Sequence, residues 1–184
     1  MRDHFVHLLA RRHGHHVSLG RKMLALVCGG VFFLLLLPAF CTWLGAPVAA
    51  LFQCCALSRC FERILAFSSG TTGLFFLAWA TYAQITAGQG TPNPIAPTQR
   101  LVCCGPYALT RNPIEFGALL YYFAFGTLAH SFVAGLVCLL LVLVFGSAYH
   151  KFVEEMELKR RFGLEYLAYK QRVPFLLPRL KQKG

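Results

Sequence analysis

Between Met23 and Ser58 the chain carries no Asp, Glu, Lys or Arg, and the same holds from Ile64 to Ala83 and from Phe116 to His150. About 20 such residues cross the hydrocarbon of a bilayer as one helix, where every backbone polar group must be bonded within the segment. With 57% hydrophobic and only 14% charged residues in 184, the composition excludes an ordinary soluble domain. The expected fold is all-α: one polytopic membrane helical bundle over residues 1–184. Pro38 and Gly45-Ala46-Pro47 interrupt the first run, so a helix is expected over 23–44, followed by a re-entrant or interfacial piece to Ser58. A tight hairpin there is the alternative. The second run is one span, and the third holds two helices with a turn near His130-Ser131. This makes four transmembrane helices, or five with the hairpin.

The 18 Lys and Arg against 7 Asp and Glu, a net charge of +11, lie in the head, the linkers and the tail. In a membrane protein this bias reflects the positive-inside rule and attraction to anionic lipid, and no nucleic acid partner is expected. Four spans return both termini, and the loop over 84–111, to the cytosol. The basic head over residues 1–22 is expected to touch the membrane surface and to stay in the mature protein, since its apolar run begins late and no small-residue cleavage site follows. Eight cysteines form no CxxC pair, and His13, His15 and His16 read as a solvated basic tail, so no metal site is expected.

Polar chemistry is confined to two blocks. The first is Gly105-Pro106-Tyr107-Ala108-Leu109-Thr110-Arg111-Asn112-Pro113-Ile114-Glu115-Phe116-Gly117. Asn112 suits an N-cap, Pro113 the first helical position, and Glu115 falls three residues after the cap, where its carboxylate can reach back. A helix therefore starts here, its N-terminus beside Arg111 and suited to a carboxylate or phosphate. Ser69-Gly70-Thr71-Thr72-Gly73, in the second run, is a small-residue patch for close helix packing.

The second block runs from Glu154-Glu155 to Pro178. Leu158, Phe162, Tyr166 and Tyr169 recur at helical spacing, and Glu155 with Lys159 and Glu157 with Arg161 are i, i+4 pairs, predicting an amphipathic helix ended by Pro174 and Pro178. A site built from both blocks offers Arg111 and a helix N-terminus on one side and Glu154 and Glu155 among aromatics on the other. A ligand bearing a carboxylate and a positive charge suits it, and S-adenosylmethionine is such a ligand.

Gly90-Thr91-Pro92-Asn93-Pro94, Arg100-Leu101-Val102, Gly105-Pro106-Tyr107, Arg111 to Gly117, Glu154-Glu155, Phe162 to Tyr166 and Val173-Pro174 follow one another in an order that resembles the integral-membrane methyltransferases. That superfamily comprises the isoprenylcysteine carboxyl methyltransferases and phospholipid N-methyltransferases, and the resemblance covers about residues 64–180. It implies a cytosol-facing S-adenosylmethionine pocket and a lipid or lipidated acceptor entering from the bilayer. Gly105, Pro106, Tyr107, Arg111, Asn112, Pro113, Gly117, Glu154, Glu155, Tyr166 and Tyr169 are then the implied cofactor-binding residues. Glu115 stands where the family has Tyr; it either favours a cationic acceptor or only caps the helix. Methyl transfer needs alignment and exclusion of water. An amine acceptor must also lose a proton, so Arg111, Glu115 and Glu155 are the candidate catalytic residues, with Glu115 or Glu155 as base. A steroid-reductase-like membrane protein using NADPH, or a non-catalytic protein retaining the fold, are the rival readings.

Overall fold

The computed structural model describes residues 19–52, 57–92 and 97–179, so the head through Ser18 with its histidines, Cys54 and Cys55, and Asn93-Pro94 lie outside the described residues. Every regular element in the described residues is helical. In chain order these are α1 (Leu19–Val31), a π-helical turn (Phe32–Leu36), α2 (Leu37–Leu51), α3 (Arg59–Thr86), a 3-10 turn (Gly105–Ala108), α4 (Pro113–Ala129), α5 (Phe132–Tyr149), a second π-helical turn (His150–Glu154) and α6 (Glu155–Arg172). Three stretches are long and apolar enough to cross a membrane: Leu26–Leu51, Arg59–Thr86 and Phe132–Arg172, the last through its α5 part. The fourth, α4, is apolar over 17 residues, the lower end of the spanning range. Trp43, Phe67 and Phe145 are each at least 65% exposed, a surface fit for lipid and costly in water.

The chain divides into two compact units. An apolar unit comprises Gly30–Leu77 and Ile114–Ser147, and a polar unit comprises residues through Gly29, Ala78–Pro113 and Ala148–Gly184.

In the apolar unit, the break expected after residue 44 does not occur: helix continues through Pro38, Gly45 and Pro47 to Leu51. The reason lies far along the chain. Pro38 has no N–H, so neither the α-register acceptor Leu34 O nor the π-register acceptor Phe33 O can be bonded by it. The hydroxyl of Tyr121 donates to Leu34 O at 2.9 Å and that of Tyr122 to Phe33 O at 2.7 Å. The π turn ends where the Leu37 N–H reaches Phe32 O, immediately before the proline. Two adjacent tyrosines on α4 thus supply donors where the backbone cannot, which is how proline is tolerated in hydrocarbon.

The small-residue patch of α3 packs on α4. A Cβ at Gly73 would meet Gly117 O at 2.7 Å, and one at Gly117 would meet Gly73 O at 2.8 Å, so these two helices touch backbone to backbone. Glu62, 6% exposed, accepts the Phe132 N–H at 3.0 Å at the start of α5. That bond satisfies one of the N–H groups a helix start leaves open. A groove of about 490 Å³ opens between Leu65, Ser69, Thr72, Leu120, Phe123 and Leu139. Its hydroxyls are bonded to carbonyls one turn back, Ser69 to Leu65 O and Thr72 to Ser68 O, so it presents hydrocarbon only.

Candidate functional site

In the polar unit the two sequence blocks meet. Nη1 of Arg111 lies 2.5 Å from Oε1 of Glu155, with the two side chains 10% and 14% exposed. The same Nη1 donates to the Tyr166 hydroxyl at 3.3 Å, Nε donates to Val173 O at 3.1 Å, and the guanidinium stacks 5.5 Å from the Phe175 ring centroid. Nη2 has no partner among the described residues. The guanidinium is thus held on three sides with one amino group left over, and its charge is offset by a carboxylate.

The segment that carries Arg111 is fastened by the chain end. Arg111 N–H donates to Pro174 O and Arg179 N–H to Leu109 O, both at 2.9 Å. The Thr110 hydroxyl and the Asn112 side-chain amide both donate to Phe175 O, at 3.2 and 2.8 Å. Val173 is extended, the conformation that a following proline imposes, so the chain leaves α6 as a strap with its carbonyls free to accept. No residue pattern singles out Phe175. The available clue is the Val173-Pro174…Pro178 spacing, which forces an extended run of exposed acceptors beside a helix end.

Tyr107 is anchored at both ends. Its hydroxyl accepts from Nε2 of Gln84 at 2.6 Å, and its carbonyl accepts from the Tyr169 hydroxyl at 2.7 Å. Burial, with Glu154 nearby, pushes the Tyr107 phenol well above its ordinary value, and burial beside Glu155 pushes Tyr166 up to about 12. Both are neutral hydrogen-bonding groups at physiological pH. Gln84 Oε1 is buried with no hydrogen-bond partner among the described residues. Turning the amide over would only exchange which of its two ends is left unsatisfied. Gly105, the first residue of the 3-10 turn, takes φ +60°, and a Cβ there would meet the Trp79 indole nitrogen at 3.3 Å.

The carboxylates differ in role. Burial acts to raise the Glu155 pKa, but hydrogen bonds from Lys170 and Arg111 outweigh it and hold the group below the ordinary value. Lys170 Nζ lies 2.5 Å from its second oxygen. The expected pair with Lys159 is thereby replaced by Arg111 and Lys170. Both of its oxygens are thus engaged by cations, one by Arg111 and one by Lys170. Glu154 pairs with His150 within the second π turn. Glu157 and Arg161 form the expected pair at 2.8 Å, and Arg161 also bonds Thr98 O, tying α6 to the loop. The tail helix is not continuous: Gly163 takes φ +53°, ψ −124°, a kink that no spacing rule predicts.

Pro113 begins α4, as expected. Glu115 and Gly117 fall in the apolar unit. Glu115 is 3% exposed, and its Oε1 accepts the Ser147 hydroxyl at 2.7 Å; a Cβ at Gly146 would lie 3.0 Å from that oxygen. Gly117 lies at the crossing with Gly73, where its lack of a side chain serves packing.

A sequence model described as phospholipid methyltransferase matches residues 61–165, more than half of the chain. The match contains Arg111, Glu115, Glu154 and Glu155 and ends just before Tyr166. No curated protein and no solved structure matches the chain.

Proposed function

Because the chain belongs to the phospholipid methyltransferase family, we propose that it methylates the headgroup amine of a phospholipid with S-adenosylmethionine as donor, held in the polar unit. The observation that carries this reading is the meeting of Arg111 and Glu155 across 44 positions of sequence. The donor set fits a small zwitterion joined to a nucleoside. Nη2 of Arg111 offers two N–H groups to a carboxylate, Glu154 supplies negative charge for an ammonium, and Tyr107, Tyr166 and Tyr169 offer aromatic faces to a sulfonium. Gln84 Oε1 offers a buried acceptor to an exocyclic amine.

When bound, the cofactor supplies an electrophilic methyl carbon; the chain supplies position. Glu155 and Val173 O fix the Arg111 fork, and the strap over 173–179 fixes the backbone that carries it. Both termini and the 84–111 loop are read as cytosolic from the charge bias.

The test is detergent-purified protein given methyl-labelled S-adenosylmethionine with phosphatidylethanolamine and, separately, a prenylcysteine analogue. The reading predicts label in the phospholipid, reduced by Arg111→Ala. Label in the prenylcysteine alone would reassign the acceptor. NADPH binding without S-adenosylmethionine binding would select a reductase, and cofactor binding without transfer to either acceptor a non-catalytic protein.

A further inference from the structure

The inner face of α6 builds the site, with Tyr166 and Tyr169 only 2% and 3% exposed. Its outer face has a different composition. Past the Gly163 kink, Leu164, Ala168, Gln171 and Arg172 are all exposed at helical spacing, opposite the two tyrosines. Leu164 is 83% exposed, and Leu177 in the strap is 74% exposed. Lys159, Arg160, Arg172 and Arg179 are exposed on the same stretch of chain, with Glu165 as the exposed acidic residue there, while Lys170 turns to Glu155. Aliphatic side chains projecting among cations are the composition of a helix that lies in a headgroup layer; a nucleic acid or acidic peptide would have no use for the leucines.

The outer face follows directly on the kink at Gly163. Nothing lies within 4 Å of the position a Gly163 Cβ would occupy, so the glycine is there for its backbone conformation and not for a close neighbour.

We propose that the outer face of α6, with Leu164 and Leu177 inserted and Lys159, Arg160, Arg172 and Arg179 on phosphates, docks on anionic phospholipid of the leaflet that faces the site. Docking pins the back of the helix whose front carries Glu155, Tyr166 and Tyr169, so the lipid composition of that leaflet sets how firmly the site is held.

The full-length protein carrying Leu164→Trp is placed in nanodiscs of phosphatidylcholine alone or mixed with phosphatidylserine, each with bromine-labelled acyl chains. The fluorescence added over the parent protein, which has two tryptophans, is compared between them. It is expected to be quenched in the anionic discs, to recover at high salt, and to lose its dependence on phosphatidylserine when Lys159 and Arg172 are both changed to Glu. Hydrogen exchange over 164–172 in the otherwise unaltered protein should slow in the anionic discs in parallel. Equal quenching in the two lipid mixtures, or none in either together with unchanged exchange, overturns the proposal. The measurement needs neither methyl donor nor acceptor, so its failure leaves the assignment of activity untouched.

Discussion

Replacing Tyr122 by Phe removes one oxygen from a side chain that is 2% exposed, and with it the 2.7 Å donor to Phe33 O; Tyr121→Phe does the same for Leu34 O. In hydrocarbon no water takes the donor's place. A hydrogen bond between helices in a membrane contributes about 0.6 kcal/mol on average and about 1–2 kcal/mol in model peptides, so the double variant should lose about 1–2 kcal/mol. At about 2–4 °C per kcal/mol for a chain of this size, that is a fall of about 2–8 °C in melting temperature. Cys41 and Cys138 pack in one cluster with Tyr122 and are 6% and 0% exposed, so peptide-resolved thiol labelling on heating reads out this region. The decisive arm is Pro38→Ala, which restores a backbone N–H to the turn. With it present, the loss from removing both hydroxyls should shrink to about half, because the new N–H bonds one of the two carbonyls. An identical loss with and without the Pro38→Ala change would refute the idea that the tyrosines stand in for the donor proline lacks.

Gly117→Ala should lower the melting temperature, because its Cβ would sit 2.8 Å from Gly73 O, at a cost of about 1–3 kcal/mol, while leaving S-adenosylmethionine affinity of the folded protein unchanged. A selective loss of cofactor binding would return Gly117 to the site. The Glu155 carboxyl is held below its ordinary value, so its ion pairs contribute fully above the unfolded pKa and are lost as pH falls through the lower, folded one. Amide exchange at Arg111, whose N–H donates to Pro174 O, should therefore accelerate in that acidic window and not at neutral pH; Glu155→Gln should abolish the acid response.

Much of this architecture is local and so legible from the residues. Charge-free runs mark the spans, and Asn112-Pro113 marks the start of α4 at Pro113. The two polar blocks are legible as a pair because a largely apolar chain has few other places for charge. What the residues alone do not show depends on distant partners. Pro38 reads as a helix breaker unless Tyr121 and Tyr122, more than 80 residues away, are known to reach it. Glu155 reads as a surface partner of Lys159 until Arg111 and Lys170 are brought to it. Phe175 acts mainly through its carbonyl, which any residue possesses, so its identity carries little signal. The Gly163 kink escapes notice because the apolar spacing of Phe162 and Tyr166 continues across it.

Equilibrium dialysis of labelled S-adenosylmethionine against the purified protein and its Arg111→Ala and Arg111→Lys variants bears on the central claim most directly. Loss of a hydrogen bond to a charged group is worth about 1.5–3 kcal/mol, so Ala should weaken binding about tenfold to hundredfold. Lys, which keeps the charge but not the fork that spans Glu155, Tyr166 and Val173 O, should restore only part of it. Binding by both variants at the affinity of the unaltered protein, or none by the unaltered protein itself, would contradict the account.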